Sequence, residues 1–166
     1  MHLENRILIL SGLALITMTM FFGVYYAVFD EHQTLVGMGV AMMNGFVAAA
    51  DGDRVAAYAA LQQYGEIAAE YKREVHFHGH FGFLSLILIL YGLVVHKLGY
   101  GRRARVGLAS GLAISAAVFP LGVLMQIGSL TSLGTVMAVL GATGLVLAMF
   151  AIVIGVLRGE EPRHVP

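Results

Sequence analysis

"EVHFHGHFGFLSLILILYGLVVHKLG", Glu74 to Gly99, sets three histidines at alternate positions, His76, His78 and His80, before an apolar run that ends at a fourth, His96. No charged residue interrupts Phe81 to Val95. Crossing the hydrocarbon core of a bilayer takes roughly 20 mostly apolar residues in a helix, so 78–97 reads as a membrane span with histidines at one of its boundaries. An imidazole in that position needs a partner for each of its nitrogens, whether water, a headgroup, a carboxylate or a metal.

Two further tracts have the same character. Ile7 to Phe29 is uncharged, and so is Val106 to Leu157, which is too long for one helix and contains "QIGSLTSLG", Gln126 to Gly134, a polar turn that divides it. The expectation is an all-α integral membrane protein, a single domain over 1–166. It is a four-transmembrane-helix bundle with spans at about 7–29, 78–97, 106–127 and 133–157. An outer-side helical insertion, 30–76, separates the first span from the second. Composition agrees: 58% of the 166 residues are hydrophobic, only 12% are charged, and the mean hydropathy is +0.81. Ten basic and ten acidic residues cancel, leaving no basic face for nucleic acid. Cysteine is absent, so any metal or cofactor must be held by His, Met, Asp, Glu or Tyr.

The connection "HKLGYGRRARVG", His96 to Gly107, carries Lys97, Arg102, Arg103 and Arg105 without an acidic residue, which marks a cytoplasmic loop. Arg6 before the first span, and Arg158 and Arg163 after the last, concur. Both termini are therefore expected inside a multi-pass protein of a bacterial-type cytoplasmic membrane, with the three clustered histidines facing outward. The first span reads as retained, because it is longer than a signal-peptide core and ends in bulky aromatics.

Within the insertion, "DRVAAYAALQQYGEIAAEYKREV" begins with Asp53 as an N-cap and is expected to run as a helix into the second span. "QTLVGMGVAMMNGFVAAA", Gln33 to Ala50, is apolar but rich in glycine, and is expected as a helix at the membrane surface or tucked into the bundle. Helical spacing puts Glu70, Glu74 and His78 on one face and His76 and His80 on another. Small residues recur every fourth position at Gly107, Gly111 and Ser115, and again at Gly134, Ala138 and Ala142, which allows close helix approach and homo-oligomer formation. Pro120 is expected to bend the third span.

The pattern "HFHGHFGFLSLILILYGLVV", His76 to Val95, resembles the histidine-bearing helix near the outer membrane face in the catalytic-subunit superfamily of nitric-oxide reductases and cytochrome oxidases. It also resembles the start of small His-x-His membrane proteins. The resemblance implies an axial ligand to haem b at His80 or, one step outward, His78. His32 and Met125 are the candidates for a second ligand. The superfamily's paired histidines on a later helix have no counterpart here, so the chain alone is not read as an oxygen- or nitric-oxide-reducing enzyme.

Three functions follow. A haem-b subunit would pass electrons between a quinol pool and an outer redox partner. A metal-binding or metal-transfer protein would gather Asp30, Glu31 and His32 with Glu74, His76 and His78 around copper, zinc or iron. An accessory subunit would pack through its glycine-rich helices onto a larger membrane complex, its histidines holding only water and headgroups. Topology is directly testable: a reporter inserted at Gly101 is expected to read as cytoplasmic, and an outer location would reverse every assignment of side.

Overall fold

The computed structural model describes residues 1–126 and 130–159. Arg163 and the middle of the Gln126–Gly134 turn lie outside the described residues. The described chain is helical throughout: α1 Leu3–Tyr25, α2 Glu31–Ala50, α3 Arg54–Val94, α4 Arg102–Leu124 and α5 Thr131–Gly159. Four continuous helical segments are long and apolar enough to cross a membrane, as expected.

Continuity is where the structure departs from expectation. No proline or glycine breaks Val24 to Gln33, and α1 passes into α2 through one wide turn, Tyr26–Asp30, in which the Glu31 N–H donates to the Tyr26 carbonyl five residues back. Leu3–Ala50 is thus a 48-residue rod, roughly 72 Å long at the rise of an α-helix. Instead of folding over the bundle, α2 touches only α3 and the wide turn. It ends at Ala50 in a Schellman arrangement: the Gly52 N–H donates to Ala49 and the Asp53 N–H to Ala48, with Gly52 at φ +74°. Asp53 then caps α3 as expected, its Oδ1 accepting from the Ala56 N–H at 3.0 Å. Also as expected, α3 runs unbroken from the insertion into the second span.

Two long antiparallel rods therefore make a hairpin whose outer half is α2 with the first part of α3. Its inner half, joined by α4, is the bundle core. Leu8, Phe81, Leu88 and Leu112 are fully or almost fully buried there, with Phe77, Leu84 and Ala116 around them. Thr19 and Ser85 lie in this core and donate their hydroxyl protons to Leu15 and Phe81 carbonyls one turn back, so neither is left unpaired. α1 and α3 meet at backbone distance: a Cβ on Gly12 would stand 2.7 Å from the Ser85 carbonyl oxygen, and one on Gly92 3.1 Å from the Ile9 nitrogen.

α5 packs on α4 and the Val95–Lys97 turn, and not on α1 or α3. Gly134 and Ala138 lie in the α4–α5 contact, as their spacing implied, with Gly122 against Ala138 and Gly141 against Phe119. Gly107 and Gly111 do not; a Cβ on either would meet nothing. Pro120 is buried within α4, which continues past it to Leu124. Replacing Gly122 by Val should force α4 and α5 apart and cost about 1–3 kcal/mol. Gly111→Ala, facing open space, should leave the melting temperature unchanged or slightly raised. Thermal melts of both variants in one detergent check the contrast.

Candidate functional site

The unbroken α3 presents its three histidines along little more than one turn, so their directions are fixed by helical geometry. As the spacing implied, they serve two faces. His78 turns toward α1, where Gly23 makes room for it: a Cβ at Gly23 would lie 2.7 Å from the imidazole Cε1. Phe22 stacks over the same ring at 6.3 Å. His76 and His80 share the other face with ring centroids 6.0 Å apart, and His80 lies 4.9 Å from the Phe119 ring of α4.

Around His78 the polar groups are incompletely paired. Its Nδ1 and the Tyr26 hydroxyl are both buried without a hydrogen-bond partner. Glu74, half-buried one turn outward, approaches Tyr26 without closing a hydrogen bond. Tyr71 flanks the pair with its ring 6.5 Å from that of Tyr26. The unpaired Tyr26 hydroxyl beside the Glu74 carboxylate makes a place for ordered water or a small hydroxylic ligand. Tyr26 and Gly23 carried no recognisable signal in sequence, because nothing in their local pattern says which side of α1 meets α3.

The other site residues are more scattered. His32 is exposed on α2, Asp30 and Glu31 are half-buried at the wide turn, and His76 is exposed. Met125 closes the end of α4, its backbone against Gly134 of α5. Among the described residues, no three His, Asp or Glu side chains converge as a metal ion would require. On the α4 side of His80 lies the Phe119 ring. Of the two glycines near His80, a Cβ on Gly82 would stand 3.5 Å from Thr19, and one on Gly79 would meet nothing.

A second polar cluster, unforeseen in sequence, joins the opposite ends of the spans. Glu4 is completely buried and accepts from Arg105 Nε at 3.0 Å; the same guanidinium donates to the His96 carbonyl at 3.1 Å. Asn5, 6% exposed, pairs its amide Nδ2 with His96 Nδ1 at 3.0 Å, and the His2 ring stacks on His96 at 5.6 Å. Glu4 Oε2 and Asn5 Oδ1 remain unpartnered. One loop is thereby tied to the start of α1. The available signal was a carboxylate and an amide directly preceding an apolar run, with nothing to pair them with a residue 101 positions away.

No protein-family model matches the chain, and neither a curated protein nor a solved structure does. The likeness of one helix to haem-bearing oxidase subunits thus stands on the histidine pattern alone.

Removing one member of a buried ion pair strands the other, whereas removing both does not. Arg105→Gln is therefore expected to lower the melting temperature more than the double variant Glu4→Gln/Arg105→Gln. Circular-dichroism melts in a single detergent measure the difference, and additive losses would mean that the pair is not coupled.

Proposed function

We propose that this protein is an accessory subunit of a larger membrane assembly and docks on it through the outer half of its helical hairpin. The observation that carries this reading is the uncovered face of α2. Thr34, Met38, Ala41, Gly45 and Ala48 turn toward α3, where a Cβ on Gly45 would stand 3.6 Å from the Ala60 Cβ. Two residues out of phase, Val36, Val40, Met43, Val47 and Ala50 form an exposed line with spacings of four and three. That alternation averages 3.5 residues, the period of a helix-to-helix seam.

Its surroundings strengthen the point. α3 opposite carries Arg54, Glu66, Glu70, Lys72 and Arg73, side chains suited to water, while α2 has no charged residue between Glu31 and Asp51. Val55, Tyr58 and Leu61 of α3 are exposed as well, but only α2 has an outer face without a charged residue, which makes it the side suited to burial. The occupant that fits is an uncharged helix with its own apolar seam, supplied by a neighbouring subunit. Exposed apolar side chains of this size are worth roughly 1.5–3 kcal/mol each when covered.

A second reading keeps the outer histidines in play. His76 and His80, four residues apart and on one face, are two of the ligands that a copper, zinc or iron ion needs, and the neighbouring subunit would complete the set. Haem b at His80 is the weaker form of this reading, because Phe119 already packs against that ring.

A photo-crosslinking residue at Val40 in the native membrane tests the docking reading. The expected product is one adduct with a different membrane polypeptide, reduced more than about tenfold by Val36→Gln/Met43→Gln, whose helical content should be unchanged. An adduct between two copies of this chain would reassign the seam to a homodimer and overturn the accessory reading. So would an adduct indifferent to the two polar substitutions.

A further inference from the structure

Helices α4 and α5 touch at both ends and part between them. Toward the outer side Ser115 packs on Gly144, Phe119 on Gly141 and Ala138 on Gly122. At the inner end the connector closes the gap: the Gly99 N–H donates to the Gly155 carbonyl at 2.8 Å, and the Tyr100 hydroxyl to the Ala151 carbonyl at 2.8 Å. The space left between is a groove of about 440 Å³, lined by Tyr100, Ala104, Gly107, Gly111, Ser115 and Ala148. From Ala104 to Ser115 it extends roughly 16 Å along α4, most of the length of an acyl chain.

Among the described residues, the charges near the mouth of the groove are positive. Arg158 holds its guanidinium 5.7 Å from the centre of the Tyr100 ring, and Tyr100 forms the groove's inner end. Lys97, Arg102 and Arg103 are exposed on the same connection. Arg105 is engaged by Glu4, but none of these four has a carboxylate partner among the described residues. No acidic residue occurs between Glu74 and Glu160. An apolar slot that opens beneath cations without a carboxylate partner among the described residues is complementary to a molecule with a hydrocarbon tail and an anionic head.

We propose that this groove binds one anionic phospholipid of the inner leaflet, an acyl chain lying along Gly107 and Gly111 and the phosphate held by Arg158 and the neighbouring basic side chains. A helix from a second copy fits less well, because the charges at the mouth call for an anionic group and no acidic residue occurs in α4 or α5. The site is separate from the outer hairpin and does not depend on what docks there. It rests on insertion of the four apolar helices in a bilayer.

The test is native mass spectrometry of the full chain released from nanodiscs containing equal phosphatidylglycerol and phosphatidylcholine with identical acyl chains. Wild-type protein should retain phosphatidylglycerol in preference to phosphatidylcholine. Arg158→Gln should reduce that preference by about fivefold, the effect of losing one cation near the headgroup. Gly111→Leu should remove most of the bound lipid, and Gly107→Leu provides a second filled groove if the first variant loses helicity. Equal retention of the two lipids by wild-type protein, or undiminished phosphatidylglycerol in a folded groove-filled variant, overturns the proposal. A dimer that disappears with Gly111→Leu while bound lipid is unchanged assigns the groove to a second copy and likewise overturns it.

Discussion

Backbone-to-backbone approach of α1 and α3 is the constraint on which the other features depend. Gly12 and Gly92 bring the two rods so close that even a methyl group at either position would collide with the facing chain. In lipid, where apolar side chains gain little by leaving one another's company for hydrocarbon, such contact is a main source of helix association. Once the rods are locked at these points, their register is set over the full length. His78 must then fall opposite Gly23, Ala60 opposite Gly45, and His96 beside Asn5. The third helix completes the core through Leu112 and Ala116, and α5, held by α4 and the connector, adds Leu145, Ala148 and Ile152 to it without touching α1 or α3.

Register also explains why the polar residues divide into two groups a membrane's thickness apart. The rods are antiparallel, so the start of α1 meets the end of α3, and Glu4 reaches Arg105 across the connector. At the other end the wide turn after Tyr25 brings Tyr26 beside Glu74. A buried ion pair at the first boundary is geometrically specific but costly to desolvate, which makes it a device for fixing the ends of helices more than a source of net stability. The second boundary is different in kind. Its orphaned His78 Nδ1 and Tyr26 hydroxyl are open valences that a water or a partner's side chain can fill.

Much of this was legible in the chain itself because it depends on local composition. Four apolar tracts, the Asp53 cap, the continuity of α3 and the opposed faces of His78 and His76/His80 all follow from spacing along one helix. What could not be read is what arises between helices. α2 has the composition of a segment that would lie on a membrane, and its glycines lower its helix propensity; it continues α1 because Gly37 and Gly45 let it nest against Ile67 and Ala60. The Gly107, Gly111, Ser115 stripe was legible as a row, but only tertiary structure separates its packed end from its open one. Glu4 and Arg105 stand 101 residues apart, and no local pattern joins them.

The hairpin also has mechanical consequences. Its two rods are connected at the tip by a three-residue turn, and α3 has no proline in 41 residues, so a sideways force at Gly52 meets no joint before the bundle. The only change of pitch is the wide turn on the other rod, next to Tyr26. The pair is therefore a stiff arm, and a load at its tip is carried to the helices that hold His78 against Gly23 and His80 against Phe119.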